Sequence, residues 1–128
     1  MNDSKSPQPI CISVEEIDSL CDQIATGREA TRRLKQLIGS REISEVEFRL
    51  LWHLRSGKKV DQKSLAEALG VSTAQVSASV EAMRKRRLIA CSKDRQDRRR
   101  QTWQLAIGGV TLLTSLTTGG ITWMKGAA

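Results

Sequence analysis

The stretch SLAEALGVSTAQVSASVEAM, residues 64–83, contains two short amphipathic segments separated by a tight turn. Gly70 is a natural stop for the first helix, and Ser72 is placed to cap the second. Apolar residues recur three and four positions apart, as expected for the inner faces of helices. These are Leu65, Ala66 and Leu69 in the first segment and Val76, Val80 and Met83 in the second. Two helices joined by about three residues that include Gly predict a helix-turn-helix.

The predicted second helix has small or polar residues at the positions that we expect to face outward. They are Ser72, Thr73, Ala74, Gln75, Ser77, Ala78 and Ser79. A helix N-terminus attracts phosphate, and the side chains that follow reach base edges in the major groove. Gln75 is the candidate base reader, because its amide can bond both edge atoms of adenine. The alternative is that two capped helices belong to an ordinary helical bundle.

The segments before the helix-turn-helix also contain N-cap residues at the predicted helix starts. In SVEE and ISEVEF, Ser13 and Ser44 are each followed by Glu three positions later, which predicts two capping boxes. The first predicted helix runs to Gly39 and the second to Gly57, while Asp61 caps the first helix of the helix-turn-helix.

Two strand-like segments follow, LIACS and TWQLAI, and the charged run KDRQDRRRQ at residues 93–101 joins them. After them, Val110, Leu113 and Leu116 have helical spacing. Helix, helix and hairpin in this order make a winged helix. We therefore predict a mainly α fold with a small β hairpin, in which N- and C-terminal helices flank a winged helix-turn-helix. The predicted boundaries are a flexible arm at 1–10, one domain at 11–116 and a tail at 117–128.

Positive charge is concentrated in the middle of the chain. Of the 128 residues, 44–101 carry fourteen Lys and Arg against seven Asp and Glu, and the net charge is +7. Such a surface favours polyanions or anionic membranes, although it could serve solubility alone. The uncharged stretch from Leu105 to Met124 is long enough to cross a membrane, but only half of it is apolar, so we expect no membrane partner.

The sequence contains few residues of the kinds that bind metal ions or catalyse reactions. Cys11, Cys21 and Cys91 have no CxxC spacing, and His53 is the single histidine. We therefore predict no zinc site, no cofactor and no enzyme activity. The N-terminus lacks a signal peptide pattern, which together with the unpaired cysteines predicts a cytoplasmic protein.

The charged run and its neighbours resemble the MarR family (multiple-antibiotic-resistance-type regulators). That family has an Asp, one residue, an Arg, five residues, Leu-Thr and then a Gly across its wing. Asp97, Arg99, Leu105, Ala106 and Gly109 fall on this pattern, with Ala in place of Thr. The helix-turn-helix and the segment ISEVEFRLLWHL are also similar to the family. Three further differences are Gly108 where members often have an acid, Arg87 where they have Gly, and a shorter C-terminal segment.

The resemblance implies a homodimer that binds double-stranded DNA, with recognition helices in major grooves and wing arginines in minor grooves. By position, Arg99 would enter the minor groove and Asp97 would orient it. Phosphate contacts would come from Arg95, Arg98 and Arg100. Independently of the resemblance, Arg84 begins a basic run at the end of the second helix, where cations are favourable in any protein, and we expect it to contribute to a basic face. The family's long C-terminal helix normally pairs with the first helix of the partner subunit, and a small-molecule ligand is also implied.

The functional hypothesis is a sequence-specific transcriptional regulator, a repressor, that binds an inverted repeat. The alternative is a winged-helix module that binds a protein partner and does not read DNA. The absence of Arg from the outward positions of the recognition helix motivates this alternative.

Overall fold

A computed structural model describes residues 11–93 and 101–117. The chain divides into two compact units, residues 1–34 and 35–128. Five helices and three strands occur in the described ranges, together with a 3-10 turn at Leu54–Ser56. The helices are α1 Val14–Ile38, α2 Glu45–His53, α3 Gln62–Leu69, α4 Thr73–Lys85 and α5 Ile107–Ser115, and the strands are β1 Val60–Asp61, β2 Ile89–Lys93 and β3 Gln101–Leu105.

Helix α1 begins and ends where the sequence predicts. The backbone N–H of Glu16 donates to Ser13 Oγ at 3.1 Å. At the other end, Gly39 has φ 59° and its N–H donates to Lys35 O at 3.0 Å. Gly27 does not interrupt the helix. Ile38 is the one buried residue of α1, and it belongs to the second unit.

Helices α2, α3 and α4 of the second unit are capped by their predicted residues. Ser44 and Glu47 form a reciprocal capping box, with bonds of 2.9 and 3.0 Å, at the start of α2. Asp61 accepts from Ser64 N at 2.8 Å, and Ser72 Oγ accepts from Gln75 N at 3.1 Å. Because each cap satisfies an N–H that lacks an intrahelical acceptor, these polar residues define where α2, α3 and α4 begin.

The predicted hairpin is present, and it belongs to a three-stranded sheet. Strands β2 and β3 pair antiparallel, with Lys93 opposite Gln101 and Cys91 opposite Trp103. Strand β1 pairs with the other edge of β3, which gives the order β1-β3-β2. Two residues are too few for an alternating pattern, so β1 was not predicted from the sequence.

The hydrophobic core of the second unit draws on α2, α3, α4, the sheet and α5. The most buried side chains are Leu50, Leu51, Leu54, Leu65, Val76, Met83 and Leu113. The predicted inner residues of α3 and α4 are all buried, which confirms the assigned helix faces. Trp103 is also buried, and its indole Nε1 lacks a hydrogen-bond partner in the part of the chain that the structure describes.

The backbone of Leu88 joins α4, the sheet and α5. Its N–H donates to Met83 O at 3.0 Å, and its carbonyl accepts from Ala106 N at 3.0 Å. Ala106 is the N-cap of α5 and provides no side-chain cap bond. Helix α5 approaches so closely that a Cβ added to Gly109 would lie 2.3 Å from Leu88 O and 2.9 Å from Leu105 Cδ2. Glycine at 109 is therefore a packing requirement of this junction.

We predict that Gly109→Ala destabilises the protein by about 1–3 kcal/mol, because the added methyl group forces α5 away from Leu88. Urea unfolding followed by circular dichroism measures the change. Ile107→Ala is the matched control, since Ile107 is 84% exposed in the same helix and its truncation should have little effect. Equal stability of Gly109→Ala and the native chain would contradict the packing requirement.

Candidate nucleic-acid interface

The outward surface of α4 is made of small and polar side chains. All six candidates from the sequence at its N-terminal half are exposed: Ser72, Thr73, Ala74, Gln75, Ser77 and Ala78. Ser79 was wrongly placed on this face, because it is buried with 8% exposure next to Val80. Ser79 lies three residues after the buried Val76, so both side chains are on the same face of α4.

The start of α4 has the geometry of a free helix N-terminus. Ser72 is extended, with φ −72° and ψ 155°, and its hydroxyl satisfies the N–H of Gln75. A helix leaves its first N–H groups without intrahelical acceptors, and its dipole makes this end electropositive. The small side chains of Thr73 and Ala74 leave this end open to an approaching anion.

The turn before α4 is fixed by its own backbone and by α2. Gly70 has φ 69°, and the N–H groups of Gly70 and Val71 donate to Ala66 O at 2.9 and 3.1 Å. Arg49 of α2 donates to Leu69 O at 2.7 Å and to Glu45 at 2.8 Å. This arginine satisfies a C-terminal carbonyl of α3 and thereby ties α2 to the turn. Arg49 was not among the functional residues predicted from the sequence.

Arg84, a predicted DNA contact, is paired within its own helix. Its guanidinium donates to both carboxylate oxygens of Glu81, at 3.1 and 2.7 Å. The hydrogen bond from Arg84 lowers the pKa of Glu81, and the same bond raises the pKa of Arg84. Both side chains are about half exposed, so a phosphate could compete with the carboxylate for the guanidinium.

The C-terminal end of α4 is held by two different arginines. Arg86 donates to Glu42 O at 2.5 Å, which ties the end of α4 to the loop before α2. Arg87 adopts φ 62°, in the left-handed region. The N–H groups of Arg87 and Leu88 donate to Arg84 O and Met83 O, both at 3.0 Å. These are the bonds of a Schellman motif, whose left-handed position usually holds Gly.

The charged run between β2 and β3 in the sequence lies largely outside the described residues. Among the candidates, Arg95, Asp97, Arg98, Arg99 and Arg100 are therefore not placed. The strands on either side are placed, and Lys93 and Gln101 are register partners. Residues 94–100 thus connect neighbouring antiparallel strands, as predicted.

The fold is shared with solved regulators. At 20% identity, BldR from Sulfolobus Solfataricus matches with a TM-score of 0.68 over 83% of this chain and 77% of its own. AbsC, a MarR family transcriptional regulator from Streptomyces coelicolor, matches at 17% identity with a TM-score of 0.68, covering 84% and 74%. A MepR variant from S. aureus bound to an oligodeoxyribonucleotide matches at 23% identity with a TM-score of 0.63, covering 80% and 74%. A search of the curated proteins finds no match.

The family model described as the MarR family matches residues 42–100, from the loop before α2 to the end of the charged run. The resemblance found in the sequence is thus confirmed, and so is the winged-helix fold. The matched region contains the whole helix-turn-helix and strand β2.

Features of a metal site and of a membrane-spanning helix are lacking in the part of the chain that the structure describes. No group of three or more His, Cys, Asp or Glu side chains could hold a metal ion there. The described cysteines are free and exposed. None of the helices in the described ranges is both long enough and apolar enough to span a membrane.

Arg87 occupies the position at which the MarR family resemblance leads us to expect Gly, and its positive φ gives the physical reason for that expectation. We predict that Arg87→Gly stabilises the protein by about 0.5–1 kcal/mol, because relief of the left-handed strain exceeds the added entropy of the unfolded chain. Urea unfolding measures the effect.

Arg86→Gly is the matched control for Arg87→Gly. Its φ is −85°, and the substitution removes the bond to Glu42 O, so stability should fall. A less stable Arg87→Gly variant would show that the arginine side chain stabilises the helix end by more than its backbone strain.

Proposed function

We propose that this protein is a sequence-specific DNA-binding transcriptional regulator that acts as a repressor. The observation that carries the proposal is the exposed N-terminal half of α4, whose small side chains surround Gln75. Helix α4 is held in place on its inner side, because Arg49 bonds to the turn that precedes it and the apolar residues of α4 are buried. The match of residues 42–100 to the MarR family model supports the same function.

The proposed complex is a homodimer on an inverted repeat, with half-sites about 10 base pairs apart, centre to centre. Helix α4 would enter the major groove and contact bases through Gln75. The wing would enter the minor groove through Arg99, oriented by Asp97, while Arg95, Arg98 and Arg100 contact phosphates. Arg84 joins them when phosphate replaces Glu81. Occupancy of the operator would exclude polymerase.

Control by a small-molecule ligand is part of the proposal. It is supported by one structural neighbour, BpsR from Bordetella bronchiseptica, whose DNA binding is described as regulated by 6-hydroxynicotinic acid. That neighbour has a TM-score of 0.63 at 23% identity and covers 79% of this chain. A ligand that separates the two recognition helices of a dimer would release DNA, because both half-sites must be contacted at once.

A second candidate function is a winged-helix module that binds a protein partner. It is favoured by the outward face of α4, where the exposed residues from Ser72 to Ala78 include no cation, and by the Glu81 pairing of Arg84. DNA-binding regulators draw much of their affinity from cations on phosphates, so the two functions differ in their response to salt.

We predict steeply salt-dependent DNA binding. Selection from a random duplex library gives the binding site, and fluorescence anisotropy then measures affinity at increasing salt. Six or more phosphate contacts per dimer should reduce affinity on the order of 10³-fold between about 50 and about 200 mM salt. A flat response, or failure to select any sequence, would favour the protein-binding module.

Gln75 and Arg99 should control different positions of the selected site. Gln75→Ala should lose about 1–3 kcal/mol of discrimination at one base pair per half-site. Arg99→Ala should weaken binding most where the flanks are A·T-rich, since a narrow minor groove concentrates negative potential. Repeating the selection with each variant measures both effects.

Glu67→Gln is the control for the two variants, because Glu67 is exposed on α3 and was not singled out as a DNA contact. It should leave the selected site unchanged. An unchanged base preference in Gln75→Ala would remove Gln75 as a reader, and equal losses on all flanks would remove the minor-groove role of Arg99.

A further inference from the structure

Arg49 lies between α2 and the turn of the helix-turn-helix, and its two terminal nitrogens have different partners. Nη1 donates to Glu45 Oε2 at 2.8 Å, one turn earlier in α2, and Nη2 donates to Leu69 O at 2.7 Å. The side chains of Arg49 and Glu45 are 37% and 23% exposed. This pair is therefore screened less by solvent than the half-exposed pair of Glu81 and Arg84.

Leu69 O is a helix-end acceptor that Arg49 satisfies. Leu69 is the last residue of α3, and the last carbonyls of a helix have no intrahelical donor. The N–H groups of Gly70 and Val71 both donate to Ala66 O, and Leu69 O accepts instead from Arg49. The guanidinium also lies at the negative end of the α3 dipole, where a cation is favourable.

The bond to Leu69 O acts on the segment that sets the direction of α4. Only residues 70–72 separate Leu69 from the first residue of α4. Gly70 has φ 69° and ψ 34°, and glycine adopts many other backbone conformations at little cost. The backbone bonds to Ala66 O hold the N–H side of this turn. Arg49 holds the carbonyl side and so couples the turn to α2.

The geometry of the turn matters for the proposed function because Gln75 lies just beyond it. Ser72 Oγ accepts from the N–H of Gln75, which places this residue in the first turn of α4. An amide that bonds both edge atoms of adenine must match them in position and angle, since hydrogen bonds weaken steeply with misalignment. A binding group of this kind has to be held within about 0.5 Å of the productive geometry.

We propose that Arg49 is a positioning residue for base recognition by α4. It contacts no base in this role. Its paired bonds to Glu45 and Leu69 O fix the turn, and the turn fixes the angle at which Gln75 meets the base edge. The proposal rests on the proposed DNA-binding function, and it adds a specificity-determining residue on α2, outside the helix-turn-helix.

Arg49→Lys tests the proposal, because the ammonium group keeps the charge but cannot span both acceptors as the planar guanidinium does. Fluorescence anisotropy compares the selected duplex with one that is changed at the base pair affected by Gln75→Ala. The ratio of the two affinities should fall about fivefold or more, the lower end of what a bidentate base contact supplies. The affinity for duplexes of random sequence should not change, since phosphate contacts supply it.

A combined variant separates positioning from a general loss of stability. In the Gln75→Ala background, Arg49→Lys should cause no further loss of discrimination at that base pair, because the side chain that it positions is absent. A loss of the same size in both backgrounds would overturn the proposal. Arg55→Lys is the matched control, since Arg55 donates to Trp52 O within its own segment and should leave discrimination unchanged.

Two substitutions at Glu45 test the anchor of the guanidinium while Arg49 stays in place. Glu45→Gln removes the charge but keeps an acceptor oxygen, whereas Glu45→Ala removes both. Discrimination should fall in Glu45→Ala and stay near the native ratio in Glu45→Gln, and equal ratios in the two variants would overturn the role of the paired bonds. Circular dichroism checks that each variant is folded, and the two Glu45 variants carry the test if Arg49→Lys is not.

Arg49→Met, which removes the charge, distinguishes positioning from a direct phosphate contact. The positioning role predicts lower discrimination with an unchanged salt slope. A phosphate contact predicts weaker binding to every duplex and a slope that is smaller by about one. A purely structural role predicts easier unfolding in urea with a native affinity ratio. Either of the last two results would overturn the proposal.

Failure of the positioning role can be told apart from failure of the proposed function. If the native chain selects no sequence, DNA recognition and the positioning role are both overturned. If the native chain selects a site, and Arg49→Lys recognises that site with the native affinity ratio, only the positioning role is overturned.

Discussion

The backbone of Leu88 is the constraint on which the arrangement of this winged helix depends. Its N–H ends α4 and its carbonyl accepts from Ala106 N, at the start of α5. The carbonyl can be approached by α5 because residue 109 is Gly, since a Cβ there would lie 2.3 Å from Leu88 O. Helix α4, the sheet and α5 are thus connected through the backbone of a single residue.

The polar caps and helix stops were predictable from the sequence because they act locally. Ser44, Asp61 and Ser72 cap their helices through residues three positions away, so the pattern and the bond lie in the same few residues. The apolar faces of α3 and α4 follow from spacing alone. For the same reason, the exposed side chains of Ser72 to Ala78 were assigned correctly.

Features that depend on distant partners were not predictable. Strand β1 exists because Val60 finds Trp103, more than forty residues away, and two residues carry no periodic signal. In the sequence, Arg49 looks like an ordinary surface cation. Only the folded structure brings it beside Leu69 O, to which it donates a hydrogen bond. The side chain of Ser79 is small enough to be buried on the inner side of α4, and a polar residue type does not predict this burial. In each case, tertiary contact decides the outcome and local propensity does not.

In the proposed complex with DNA, affinity and specificity would come from different segments of the protein. In the proposed complex, the exposed start of α4, which has hydrogen-bonding side chains but no cation, would discriminate bases while contributing little electrostatic attraction. The positive charge lies in other segments, at the end of α4 and in the run at residues 93–101. In the proposed complex, the charged run would supply affinity and α4 would supply sequence discrimination. A second subunit would then add more than a second set of contacts, because it doubles the electrostatic term and fixes the spacing of two weak readers at once.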